Sequence, residues 1–353
     1  MEKRLTHGGD WQSYLDKYGE MPLDFSANVS PLGVPAGVTE AIRKAADKLE
    51  LYPDPLAREL SVAIARHCGV KPAQVLCGGG GADLIYRAAL GLAPRRALVT
   101  APAFAEYEDA LQNAGCEVLR FPLKEGENFR VGPEILDALR EDIDMVFLCE
   151  PNNPTGVTTD PELLAKIAKV CREREIILFL DESFNEFLED PEGHSMMCRL
   201  EEFPNMLILR AFTKLYAMAG ARLGYLLTAS PAAMEKMRAA GQPWAVSELA
   251  QEAGLAALKE TEYVERVRAL VLEERGFVQR GLENLGLAVI PGEANYFLFR
   301  GPADLADRME AHGILLRRCD NYCGLGPGWF RTAVRTHAEN ERLLRTMEIV
   351  LMR

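Results

Sequence analysis

Apolar and polar positions are spread unevenly along this chain. From about residue 74 onward, short apolar runs at 74–77, 96–100, 116–121, 145–149, 176–180, 206–209 and 224–228 alternate with polar or amphipathic stretches. Runs this short, rich in Val, Ile, Leu and Phe, read as strands buried on both faces. The stretches 82–91, 105–113, 133–140 and 161–174 between them read as helices. Strands alternating with helices predict a mostly parallel sheet covered on both sides, with ligands bound beyond the carboxyl ends of the strands. After Pro231 the pattern changes. Residues 232–241 and 247–258 read as helices, and 260–285 as one long helix of the kind that bridges two domains. The remainder mixes strand-like segments (287–290, 296–299, 314–317, 330–334) with helical ones (305–312, 339–352), as in a small α+β domain. The expected fold class is therefore α/β, a mostly parallel large domain with a smaller α+β domain.

Composition narrows the function classes. The chain has 353 residues, 48% of them hydrophobic, enough for a large core. Its formal charge is −12 with no basic block, which argues against a nucleic-acid partner. No apolar run approaches the roughly 20 residues of a membrane helix, and residues 1–10 are polar, unlike a targeting segment. The eight cysteines are scattered, several inside apolar runs, which points to reduced thiols in a cytoplasmic protein. Cys319 and Cys323 lack neighbouring ligands, so no metal is expected.

The candidate chemistry lies where the predicted strands end. Pro151-Asn152-Asn153-Pro154-Thr155-Gly156 follows the run at 145–149, and Asp181-Glu182 follows 176–180. Thr213-Lys214 follows 206–209, and Arg222, eight residues on, precedes the last run. Singly these are a turn, a helix cap and solvated cations. Together, in this order, they match the needs of pyridoxal 5′-phosphate. Its aldehyde needs an amine, which Lys214 supplies. Its pyridine nitrogen needs a carboxylate to stay protonated, which Asp181 provides. The Asn153 amide suits the phenolic oxygen, Arg222 the phosphate, and Thr213 can add a hydroxyl donor. In Cys77-Gly78-Gly79-Gly80-Gly81-Ala82-Asp83, small residues join a strand to a helix, so the N–H groups of Gly80, Gly81 and Ala82 can approach a phosphate. Phe104, in Pro102-Ala103-Phe104-Ala105-Glu106-Tyr107, is the candidate to stack on the ring.

These motifs resemble those of the fold-type I pyridoxal-phosphate enzymes over essentially the whole chain, in the branch that holds histidinol-phosphate aminotransferases and the threonine-phosphate decarboxylases of the cobalamin pathway. His7-Gly8-Gly9 with Asp24-Phe25-Ser26-Ala27-Asn28, Tyr52-Pro53-Asp54, Phe184 where many aminotransferases have tyrosine, Arg317-Arg318-Cys319-Asp320-Asn321-Tyr322, and Trp329-Phe330-Arg331 with the segment after it are similar to the decarboxylases. The resemblance implies an N-terminal arm (1–30), a cofactor domain (31–260) and a small domain (261–353). It implies that Arg331 clamps a substrate carboxylate and that His7, Asn28 and Arg317 bind a substrate phosphate. Tyr52 would reach the partner's cofactor phosphate in a homodimer. The implied reaction is decarboxylation of L-threonine O-phosphate to (R)-1-amino-2-propanol O-phosphate, with transamination of the histidinol-phosphate type as the alternative and a non-catalytic binding role as a third reading. The chain departs from its relatives at Ser30, Gly79, Gly81, Ala211 and Cys323.

Overall fold

The computed structural model describes residues 7–352, so the first six residues of the polar stretch 1–10 lie outside the described residues. All seven apolar runs form strands: β1 (Val75–Gly78), β2 (Arg96–Ala101), β3 (Glu117–Pro122), β4 (Met145–Cys149), β5 (Ile177–Asp181), β6 (Met206–Ala211) and β7 (Gly224–Leu227). They make one sheet in the order β1-β7-β6-β5-β4-β2-β3. The β3-β2-β4-β5-β6 part is parallel, and β7 runs antiparallel to both β6 and β1. Successive side chains of a strand point to opposite faces. Thus Val146, Leu148, Leu178, Leu180 and Ile208 enter one apolar cluster, while Phe147, Phe179, Leu207 and Leu209 enter another on the opposite face. Each fully buried side chain of this size contributes about 1.5–3 kcal/mol relative to exposure.

Register decides which loops meet. Cys149 pairs with Asp181 and Asp181 with Leu209. Ala211 pairs with Gly224, and Gly224 with Gly78. The loops after β1, β4, β5 and β6 and the one before β7 therefore open along a single edge. Close approach at that edge requires Gly224, where a Cβ would stand 3.1 Å from the Arg210 carbonyl oxygen and 3.2 Å from the Gly80 carbonyl carbon.

The 24-residue helix Thr261–Asn284 leads to a second, four-stranded sheet containing Ala288–Val289, Tyr296–Arg300, Arg317–Arg318 and Trp329–Ala333. Its core gathers Val278, Leu282, Phe297, Phe299, Phe330, Leu343 and Met347, with Phe25 inserted from the N-terminal segment. Leu23–Asp24 pairs in parallel with Ile314–Leu315.

Two expected elements differ. The helix expected over 133–140 is one turn, Ile135–Ala138. Leu139 leaves helical geometry at ψ 63°, and Arg174 donates to its carbonyl. The strand expected over 314–317 is split at Leu316: Ile314–Leu315 pairs with the N-terminal segment, whereas Arg317–Arg318 pairs with Trp329–Ala333.

Candidate active site

Asp181 ends β5 with its side chain buried. Tyr107 donates to one carboxylate oxygen at 2.6 Å, and the Ser183 backbone N–H to the other at 2.9 Å. Burial holds the carboxyl above its usual range, against these donors and the Lys214 charge. A nearby cationic ring nitrogen would favour the ionised form, as a pyridinium does. Tyr107 is locked by stacking on Phe147 at 5.2 Å, which stacks on Phe179 at 4.5 Å.

Lys214 lies in the one-turn helix Phe212–Leu215 after β6. It is half-buried, with its Nζ 5.3 Å from the centre of the Phe184 ring. Loss of hydration, with the Arg331 and Arg222 charges, lowers its pKa to about 8 against the pull of Asp181. A much larger share of this lysine is therefore neutral near pH 7 than of an ordinary one, as condensation with an aldehyde demands. Its carbonyl accepts from the Ser30 N–H at 2.8 Å, and the Ser30 hydroxyl accepts from Tyr263 at 2.7 Å.

Asn153 is buried, and its Oδ1 accepts from Arg331 Nη1 at 2.5 Å and from the Tyr322 hydroxyl at 3.4 Å. With the oxygen engaged this way, the Nδ2 group is the part left to donate. Arg331 is also buried. It donates from Nη2 to the Ser26 carbonyl at 2.8 Å, and its Nε has no partner. Arg317 sits opposite Arg331 in the antiparallel pairing. Its guanidinium lies 5.3 Å from the centre of the Tyr322 ring and donates to Asn321 Oδ1 at 2.9 Å.

The turn expected to hold the phosphate opens the helix Gly81–Leu92, whose N-cap Gly80 provides no side-chain bond to the first turn. The Gly81 and Ala82 N–H groups open the positive end of the helix, whereas the Gly80 N–H, also expected to face a phosphate, donates to the Gly78 carbonyl at 2.8 Å. Gly80 has φ +100°, and a Cβ on it would stand 2.9 Å from Arg222 Nη2. Arg222 itself holds a left-handed conformation (φ 58°) and donates to the Ala219 carbonyl at 3.0 Å. Thr213 is buried beside Lys214. A cation, free helix N–H groups and a side-chain-free approach fit a phosphate. The amine, carboxylate and amide fit the rest of pyridoxal phosphate.

The remaining expected residues fall into three groups. Phe104 caps the helix Ala105–Asn113, edge-on to Tyr107 at 5.6 Å. His7 lies 5.9 Å from Phe104 and 2.8 Å from a Glu106 carboxylate oxygen. His7 and Arg317 line one cavity of about 710 Å³, with Ser26 and Arg318. Asn28 is not among its lining residues. It is buried with both side-chain polar atoms unpartnered, two residues before the Ser30 contact with Lys214. Tyr52 is remote from these groups along the chain, 82% exposed, and packed on Trp244 at 4.9 Å between ring centres. Sequence reading had passed over Tyr107 and Tyr322, although both lie inside segments singled out for other residues.

Fold and site together define a pyridoxal-phosphate-dependent enzyme. The chain belongs to the aminotransferase class I and II family, whose pattern matches residues 20–347. It is 41% identical over 353 residues to the threonine-phosphate decarboxylase of Salmonella typhimurium, covering 98% of this chain and 96% of that one. It is 34% identical over 336 residues to the histidinol-phosphate aminotransferase of Symbiobacterium thermophilum, covering 93% and 90%. The structure of the histidinol-phosphate aminotransferase of Sinorhizobium meliloti in complex with pyridoxal-5′-phosphate superposes with a TM-score of 0.87 at 26% identity, covering 99% of this chain and 96% of that one. Among the described residues no helix is long and apolar enough to cross a membrane.

Proposed function

We propose that the enzyme decarboxylates L-threonine O-phosphate, releasing carbon dioxide and (R)-1-amino-2-propanol O-phosphate. The observation that carries this reading is the direct cross-strand pairing of Arg317 with Arg331, both buried. Residues opposite one another in an antiparallel pair share a face, about 4.5–5.5 Å apart at Cβ. Two such guanidiniums suit a small substrate with two neighbouring anionic groups. Threonine phosphate carries a carboxylate and a phosphate separated by two carbons, whereas histidinol phosphate has no carboxylate. The 41% identity to a threonine-phosphate decarboxylase supports the same choice.

Bound pyridoxal phosphate supplies an electron sink for the bond that breaks at the substrate α-carbon. Lys214 attaches the cofactor and, once displaced by the substrate amine, is placed to return a proton to the α-carbon. Asp181 holds the ring nitrogen protonated, with Tyr107 fixing the carboxylate. Arg331 orients the substrate carboxylate and, through Asn153 Oδ1, turns the Asn153 amide N–H toward the ring oxygen. Arg317 anchors the substrate phosphate, helped by His7, which lines the same cavity, and by the unpartnered amide of Asn28. The enzyme works as a homodimer in which Tyr52, held on Trp244, reaches the partner's cofactor phosphate. The exposed Leu49, Leu51 and Leu56 beside it are apolar enough for such an interface.

The test is incubation with L-threonine O-phosphate and no keto acid. Carbon dioxide and aminopropanol phosphate should accumulate over many turnovers. Turnover that requires 2-oxoglutarate and forms glutamate would instead make the enzyme an aminotransferase.

A further inference from the structure

The first turn of helix Gly81–Leu92 carries a carboxylate that a phosphate cradle does not call for. Asp83 Oδ2 accepts from the Gly79 N–H at 2.8 Å, and its Oδ1 accepts from Arg87 Nε at 2.9 Å. The Arg87 side chain is 7% exposed and that of Asp83 28%. Arg87 lies against Gly241, where any Cβ would overlap the guanidinium. Its Nη2 is buried without a partner. The neighbouring Gly79 leaves room for a Cβ only 3.4 Å from the Ala245 carbonyl oxygen.

Tethering the Gly79 peptide would need no charge, since an asparagine oxygen accepts the same N–H. An aspartate at this point adds a negative charge within one turn of the N–H groups offered to the cofactor phosphate. Like charges so placed repel, and partial burial weakens the screening. Arg87, one turn further along the helix, brings the opposite charge to the far oxygen of the same carboxylate.

We infer that Asp83 and Arg87 form a charge-neutral clasp: Asp83 tethers the Gly79 peptide of the phosphate cradle, and Arg87 cancels the charge that Asp83 would otherwise present to the cofactor phosphate. Both are positioning residues. The inference rests on assigning that phosphate to the turn at Gly80, Gly81 and Ala82 and to Arg222.

The experiment titrates apoenzyme with pyridoxal phosphate and with pyridoxal, which lacks the phosphate, and follows visible absorbance. The quantity read is the ratio of the two dissociation constants. Arg87→Met exposes the phosphate to an uncompensated carboxylate and should reduce the preference for pyridoxal phosphate roughly tenfold or more. Asp83→Asn should not reduce it. The double variant should return to within about threefold of wild type, a rescue that simple loss of packing does not produce. Arg87→Lys keeps the charge and should hold the preference near wild type. The clasp is overturned if Arg87→Met and Asp83→Asn reduce the preference alike, if the double variant stays as weak as Arg87→Met, or if Arg87→Lys falls tenfold. Arg222→Gln separates the two levels of the argument. If that variant keeps the full preference, the phosphate lies elsewhere and the site assignment fails with the clasp. If it loses the preference while Arg87→Met does not, the clasp alone fails.

Discussion

With Lys214 as the proposed attachment point, its protonation sets how fast the apoenzyme captures its cofactor. The amine titrates at about 8 where an ordinary lysine titrates at 10.5. At pH 7 the neutral fraction of such a group is about 9%, against about 0.03% for the ordinary one, a ratio of roughly 300 or about 3.4 kcal/mol at 1.36 kcal/mol per pKa unit. Loss of hydration is the largest cause, followed by the Arg331 charge, with Asp181 opposing both. Mixing apoenzyme with pyridoxal phosphate in a stopped-flow instrument, and following the visible band of the lysine adduct, should give a rate that climbs about tenfold per pH unit below 8 and levels off above it. Arg331→Gln removes a positive neighbour and should move the midpoint up. Asp181→Asn removes the negative one and should move it down. A wild-type midpoint near 10.5, or one that neither variant moves, would refute this account of the lysine's reactivity.

Tyr107→Phe removes the 2.6 Å donor to buried Asp181; a hydrogen bond to a charged group contributes about 1.5–3 kcal/mol, so kcat for carbon dioxide release should fall roughly 10–100-fold with little change in KM. Glu150 is buried against Thr159, and burial raises its carboxyl to about 7. A folded-state value above the unfolded one means stability is lost as pH rises from about 4.5 to 7, so Glu150→Gln should raise Tm relative to wild type at pH 8 and lose that advantage near pH 4.5, by calorimetry. Tyr52→Ala and Lys214→Ala homodimers should each be weakly active or inactive. Remixed subunits should recover up to roughly a quarter of wild-type activity, because one site in each mixed dimer then has both residues; no recovery in dimers shown to exchange subunits would place Tyr52 outside the partner's site.

What the sequence disclosed follows from where physical constraints are local. Six of the seven strands are buried on both faces, so their apolar runs stand out, whereas the run expected to be buried at 116–121 forms the edge strand Glu117–Pro122, which no strand covers on its outer side and which stays partly exposed. Asn153, Asp181 and Lys214 each sit in the few residues at or after the end of a run. Lys214, Asp181, Asn153 and Arg222 converge because strand register aligns those ends, and the βα pattern already implies as much. The helices Trp11–Tyr18, Ala36–Ala45 and Arg58–Cys68 precede the first strand of the large sheet and were not read, since each mixes small, charged and apolar residues without a clear strand–helix alternation beside it. Residues that act through another residue were hidden for a different reason. The Tyr107–Asp181 contact spans 74 positions and the Arg331–Asn153 contact 178, and no local pattern encodes either. The direct opposition of Arg317 and Arg331 depends on a break at Leu316 that splits one expected strand between two sheets.

The segment from Leu23 to Ser30 is fastened at three points: paired with Ile314–Leu315 at one end, bonded to Arg331 through the Ser26 carbonyl in the middle, and bonded to the Lys214 carbonyl at the other end. Taken as a single strap, it ties the part of the molecule that carries the two arginines to the part that carries the amine. The six residue steps from Asp24 to Ser30 span at most about 22 Å when fully extended, so the strap limits how far those two parts can separate. With the two arginines in the roles proposed for them, substrate length would be gauged by covalent chain as well as by side-chain fit. A phosphorylated amino acid with a longer backbone would then have to stretch a tether fastened at three points, where a free hinge would simply open.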